Sequence, residues 1–216
     1  TVHGAKAASA ATAKSDIVVV PLFTNENLSS SSSGVNAAAG DVLQRAITIG
    51  DADAKLGKIT TMVGSGNITR IMSVGCGDRA SFNLEAQLSV TGAVSRALAS
   101  SKARNAIVVG DPIAHDKDAL AQFLEFLGRD MAMACYHYTA TLGTPKPGPA
   151  FSKLTVAVDG ISAAKAKQSL SVGATIGNGA NLTRELVNLP GNVCTPSFLA
   201  KEGRTLGRKY DKLSVS

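Results

Sequence analysis

Apolar residues along the chain fall into short blocks with two spacings that alternate. Residues 16–23 carry a near-continuous β-branched run (Ile17, Val18, Val19, Val20) closed by Pro21, Leu22 and Phe23, which predicts a buried strand. Residues 105–109 and 154–158 repeat that pattern. Residues 58–63 and 70–74 flank Gly64-Ser65-Gly66-Asn67, which predicts two strands with a hairpin-type connection. Between these blocks the spacing is helical. Val42, Leu43, Ala46 and Ile47 mark a helix over 41–49, and Val90, Val94, Ala97 and Leu98 mark one over 84–100. The cleanest period is Leu120, Phe123, Leu124, Leu127 and Met131 over 118–134. A long helix is predicted from about 162 to 188, with small residues at 173, 174, 177 and 180 (Gly173, Ala174, Gly177, Ala180). Glycine lowers helix propensity, so such a stripe predicts close approach to another element. That helix ends at Asn188-Leu189-Pro190-Gly191-Asn192, and Thr195 caps a last helix with Pro196 in its first turn.

Strands alternating with helices of this length predict an α/β layered domain with a largely parallel or mixed sheet. The compact domain is expected over 16–160, followed by a connecting helix and turn at 161–192 that leaves it, and a new segment at 193–216. Two stretches are expected to be flexible: residues 1–15, and the serine run Ser29–Ser33 with Gly34, which has no apolar face to bury. Residues 1–14 lack the apolar stretch of a secretory signal, and no run of 18 apolar residues suggests a membrane span.

Aromatic residues make up 4% with no Trp, so the core must come from Ala, Val, Ile and Leu; base stacking on nucleic acid is disfavoured. The net charge is +6, concentrated most clearly at Lys201, Arg204, Arg208, Lys209 and Lys212, which helical spacing reads as a solvated face. Cys76, Cys135 and Cys194 are odd in number and widely spaced, which points away from a disulfide framework and towards a reducing, cytoplasmic setting.

Candidate chemistry is sparse. Gly75-Cys76-Gly77-Asp78 follows a strand, where backbone amides can cradle a phosphate, but it lacks a dinucleotide or P-loop pattern and reads first as a tight turn. Gly64-Ser65-Gly66 reads the same way. His3, His115 and His137 have no partner at metal-ligand spacing, and the pairs Asp51/Asp53 and Asp116/Asp118 read as solvated turns. No catalytic, metal-binding or cofactor-binding residue is assigned within the chain on these grounds.

Residues 180–200 supply the sharpest motif. The string Thr183-Arg184-Glu185-Leu186-Val187-Asn188-Leu189-Pro190-Gly191-Asn192-Val193-Cys194-Thr195-Pro196-Ser197-Phe198-Leu199-Ala200 resembles the segment joining the two domains of the leucyl aminopeptidase (cytosol aminopeptidase, M17-type) family. A looser resemblance covers most of 16–216, including "DIVVVPLF" at 16–23 and "RIMSVGCGD" at 70–78. The resemblance implies a macro-domain-like N-terminal domain with a mixed sheet, then a connecting helix and the first helix of a second, absent α/β domain. It implies a hydrolase that removes N-terminal residues, leucine preferentially, from peptides, using two divalent metals (manganese, zinc or magnesium) to activate water. The family's metal ligands and catalytic residues fall after Ser216, so the chain alone is expected to be inactive. Asn188, Pro190 and Asn192 match the motif and are expected to fix the interdomain turn. Expected partners are the catalytic domain, further copies in a hexamer, peptide substrates and, for some relatives, DNA through the basic face. A nucleotide-type ligand at Gly75 to Asp78 is the alternative reading.

Overall fold

The β-branched runs assemble into one sheet, seen in a computed structural model that describes residues 2–6, 10–113 and 117–215. The elements run β1 (Val2–Lys6), β2 (Ile17–Leu22), α1 (Ser30–Ala38), α2 (Val42–Thr48), β3 (Ile59–Val63), β4 (Arg70–Gly75), α3 (Leu84–Ser100), β5 (Asn105–Val109), α4 (Lys117–Ala134), β6 (Lys153–Val158), α5 (Ala163–Asn188) and α6 (Pro196–Lys209). The strand order is β1-β6-β5-β2-β4-β3. Neighbours are parallel except β3, which forms the expected antiparallel hairpin with β4.

The continuous apolar run of β2 is explained by burial on both faces. Ile17 and Val19 join a core with α3, α4 and α5, while Val18, Val20 and Leu22 join a second core with α1 and α2. The strand passes through Pro21 instead of stopping there. Pairing with β5 ends at Val19, so a residue without N–H at 21 lies beyond that ladder.

Three expectations change. Residues 2–6 are not a free tail but an edge strand, Val2 opposite Leu154 and Lys6 opposite Val158. The serine run is not a loop but the first turns of α1, where Ser29 caps by accepting from the Ser32 amide and Val35 is fully buried. Asn36 extends that role to α2: its Oδ1 accepts from the Leu43 and Gln44 amides, and its amide group donates to Asp41, whose φ of 56° is left-handed.

The third change concerns α5, which does not leave the domain at 162. Ala166 and Leu170 are fully buried in the core, and the helix lies along α4 and β1. The small-residue stripe makes the predicted close approach. A Cβ at Gly173 would sit 1.8 Å from the Glu125 carbonyl oxygen, one at Gly177 2.5 Å from that of Arg129, and one at Gly128 on α4 2.2 Å from that of Leu170. The two backbones touch because glycines face each other.

Candidate functional site

At the end of β4, Gly75, Cys76 and Gly77 donate their amides to the carbonyls of Lys58, Leu22 and Ala54. A Cβ at Gly75 would lie 2.0 Å from the Lys55 carbonyl oxygen, and Gly77 has φ of 74°. The glycines serve close backbone packing, and no donor remains in these three residues for a phosphate. Asp78 accepts from the Ala80 amide and caps a short 3-10 turn. The Cys76 thiol is buried, and desolvation pushes its pKa up to about 12, so it stays protonated and unreactive at neutral pH.

Beside this turn is a cavity of about 480 Å³ lined by residues 22–26, Ile47, Gly50 and residues 52–55. Its carboxylates are engaged. Arg79 grips Glu26 with two nitrogens, Nη2 at 2.7 Å, and its guanidinium lies 3.8 Å from the centroid of Phe23, which meets Phe82 edge-on. The Arg79 hydrogen bond holds the Glu26 carboxyl below its ordinary pKa. Asp53 is held low by hydrogen bonds from Lys58 (2.7 Å) and the Lys55 amide. The Arg79 guanidinium and the Lys58 ammonium beside this cavity are thus bound to its own carboxylates, and among the described residues no cluster of cations is left over there for a phosphate or nucleotide.

The histidines and carboxylates do not converge. His137 contacts the Lys146 carbonyl at 2.6 Å, and His115 and Asp116 lie outside the described residues, as does the side chain of His3. Among the described residues no group of three or more His, Cys, Asp or Glu side chains is placed to hold a metal ion. No step through a metal is therefore derived for this chain. Cys135 is half-buried beside the core, and burial raises its thiol pKa. On α6, Lys201, Arg204, Arg208 and Lys209 are exposed, and Lys212 follows in the exposed tail, the solvated basic face that the spacing predicted.

Side chains do converge where α4 ends against the last turns of α5. The Tyr136 hydroxyl donates to Glu185 Oε2 at 2.8 Å and accepts from the Asn188 side-chain amide at 3.0 Å. Arg184 lies over the Tyr136 ring, 4.3 Å from its centroid, and donates to the Met133 carbonyl at 2.9 Å. Desolvation and the bond to Glu185 raise the pKa of Tyr136. Beyond Asn188 the Pro190 carbonyl accepts from the amides of Val193 and Cys194, closing the turn, and the Thr195 hydroxyl caps α6 by accepting from Phe198 N. Asn188 and Pro190 thus hold the turn, while Asn192 is exposed. Tyr136 was legible only as a helix end; its partners are about 50 residues away and no local spacing announces them.

Residues 19–143 match the sequence profile described as the cytosol aminopeptidase family, N-terminal domain, and the chain belongs to that family. A probable cytosol aminopeptidase of Alkalilimnicola ehrlichii is 30% identical over 217 residues, covering 99% of this chain and 44% of the relative. One from Ralstonia pickettii is 32% identical, covering 96% of this chain and 43% of its own length. The chain thus spans less than half the length of the curated relatives it matches. A tomato leucine aminopeptidase mutant has the same fold, with a TM-score of 0.78 at 19% identity, covering 98% of this chain and 42% of that one. The bottromycin maturation enzyme BotP, also solved in complex with Mn, has a TM-score of 0.66 at 17% identity over 90% of this chain and 37% of its own.

Proposed function

We propose that this chain is the non-catalytic N-terminal portion of a leucyl-type aminopeptidase that removes N-terminal residues from peptides. In this reading the sheet, including the edge strand at residues 2–6, and the buried first half of α5 form the macro-like domain, the end of α5 and the turn to 192 form the connection, and 193–216 the start of the catalytic domain. The two divalent metals and the hydrolytic residues belong to the segment that follows, and the N-terminal portion shapes a hexameric assembly and access of substrate. The observation that carries the reading is the family match over 19–143 in a chain spanning 44% of a full-length relative. The state of α6 supports it. Its apolar side chains Phe198, Leu199 and Leu206 are stacked at helical spacing, yet no residue of α6 is buried. The short tail at Leu213 and Val215 lies against it, at Gly203 and Gly207, and an amphipathic helix with so little cover suits the edge of a larger packed unit.

The test is hydrolysis of leucine amide with manganese, zinc or magnesium added, by the 216 residues alone and by a chain carrying the relatives' downstream region. The first is expected to be inactive and the second active. Metal-dependent turnover by the 216 residues alone would overturn the proposal.

A further inference from the structure

We propose that the cleft between α3, α4 and the C-terminal half of α5 binds a small polyanion, a compound bearing a phosphate group or several carboxylates. The cleft has a volume of about 530 Å³, within the range of small-ligand sites. Its charged lining is Arg96, Arg129 and Arg184 against the single carboxylate of Asp130. That carboxylate is already spent: Oδ1 accepts from Arg129 at 2.8 Å and Oδ2 from the Thr91 hydroxyl at 2.6 Å. Two guanidinium charges are left without a counter-ion in the lining.

The two remaining arginines differ in a useful way. Arg184 is held, since its Nη1 donates to Met133 and Asn181 and the plane rests on Tyr136; its other nitrogens make no hydrogen bond among the described residues. Arg96 has no hydrogen bond or ion pair among the described residues, and its guanidinium folds back over Gly92, where a Cβ would sit 3.1 Å from Nη1. Ser95, the neighbour of Arg96 in sequence, also lines the cleft, 1% exposed, with a hydroxyl that has no hydrogen-bond partner among the described residues. Buried polar atoms are ordinarily satisfied, so an unpaired hydroxyl in the same lining as two uncompensated guanidinium groups points to an oxyanion as the ligand. Planar guanidinium forks recognise phosphate and carboxylate oxygens in pairs, and a hydroxyl adds one more donor. The same cleft includes Tyr136, so its occupant would also brace the joint that fixes the end of α5.

The test is calorimetric titration of the chain, at low ionic strength, with sodium pyrophosphate and separately with citrate. Saturable one-to-one binding of at least one anion is expected, and the tighter of the two distinguishes a phosphate from a polycarboxylate ligand. Arg96→Gln should weaken binding about tenfold, the loss of one charge-assisted contact, and Ser95→Ala by a smaller factor. Because Arg96 is exposed and unpaired, Arg96→Gln should leave the melting temperature of the free protein unchanged, so lost binding cannot be mistaken for unfolding. The double substitution Arg204→Gln/Arg208→Gln on α6 should leave the affinity unaltered. The proposal is overturned by absence of saturable heat with both anions up to about 10 mM, well above the range of specific sites. It is overturned equally by unchanged affinity in Arg96→Gln, or by binding that follows the α6 arginines.

Discussion

The first half of α5 and its continuation into α6 are consecutive stretches of chain with opposite fates. From Ala166 to Gly177 the helix meets α4 backbone to backbone, with Leu170 wholly buried. Towards its end Val187 is 78% exposed, and in α6 Leu199 is 46% exposed. Small residues predict burial in one stretch, and large apolar ones stay in solvent in the other. What decides between them is the partner. Gly128 on α4 and Gly173 and Gly177 on α5 let the two helices close to contact, whereas Val187 and Leu199 further on have little facing surface among the described residues. Polar tethers take over at the junction, where Tyr136, Arg184, Glu185 and Asn188 fix the helix direction without a hydrophobic core.

Breaking the buried half should have the largest effects. Leu170→Ala removes a fully buried side chain and should cost about 3 kcal/mol, read as a lower urea midpoint. Gly173→Ala should cost about 2 kcal/mol in the same assay, since overpacking against the Glu125 carbonyl outweighs the roughly 1 kcal/mol gain in helix propensity. Gly179→Ala sharpens the contrast. In the same helix, but with nothing within 4 Å of the new methyl, it should stabilise by up to about 1 kcal/mol. If Gly173→Ala and Gly179→Ala shift stability in the same direction, the glycine contact is not what holds α5.

The exposed half should hardly respond. Val187→Ser should change the stability of this chain by less than about 0.5 kcal/mol. Tyr136→Phe should lower stability slightly at neutral pH. The folded pKa of Tyr136 is raised, so its contribution is complete below the unfolded value near 10 and is lost as pH rises through the folded value. The gap between wild type and Tyr136→Phe should therefore close as the pH is raised above about 10. A gap that persists would mean the phenol's proton is not what matters.

Wherever apolar residues repeat over a whole element, the sequence is readable. The strands at β2, β5 and β6, the β3–β4 hairpin, the helices α2 to α5 and the Thr195–Pro196 start of α6 all follow from period and caps. What was hidden depended on partners distant in the chain. Val2–Lys6 contains a glycine and a lysine and reads as a tail until β6 supplies its ladder. The serines of α1 look like low complexity because one buried valine and a capped turn, not a stripe, hold the helix. The tight-turn reading of Gly75 to Gly77 was visible in the glycines, but the fate of their amides was not. The arginine cleft gathers residues from three helices with about 90 positions between Arg96 and Arg184, and no local pattern announces it.

The pairing of Val2 with Leu154 carries a consequence for the order of assembly. Among the described residues β1 pairs with a strand about 150 positions later, so closing that loop carries one of the largest entropic penalties in the fold. On the ribosome β1 must wait, unpaired, until β6 has emerged. Synthesis and pairing are therefore far apart in time at this edge, and a nascent chain halted before residue 153 would expose β1 to any other open β edge it meets.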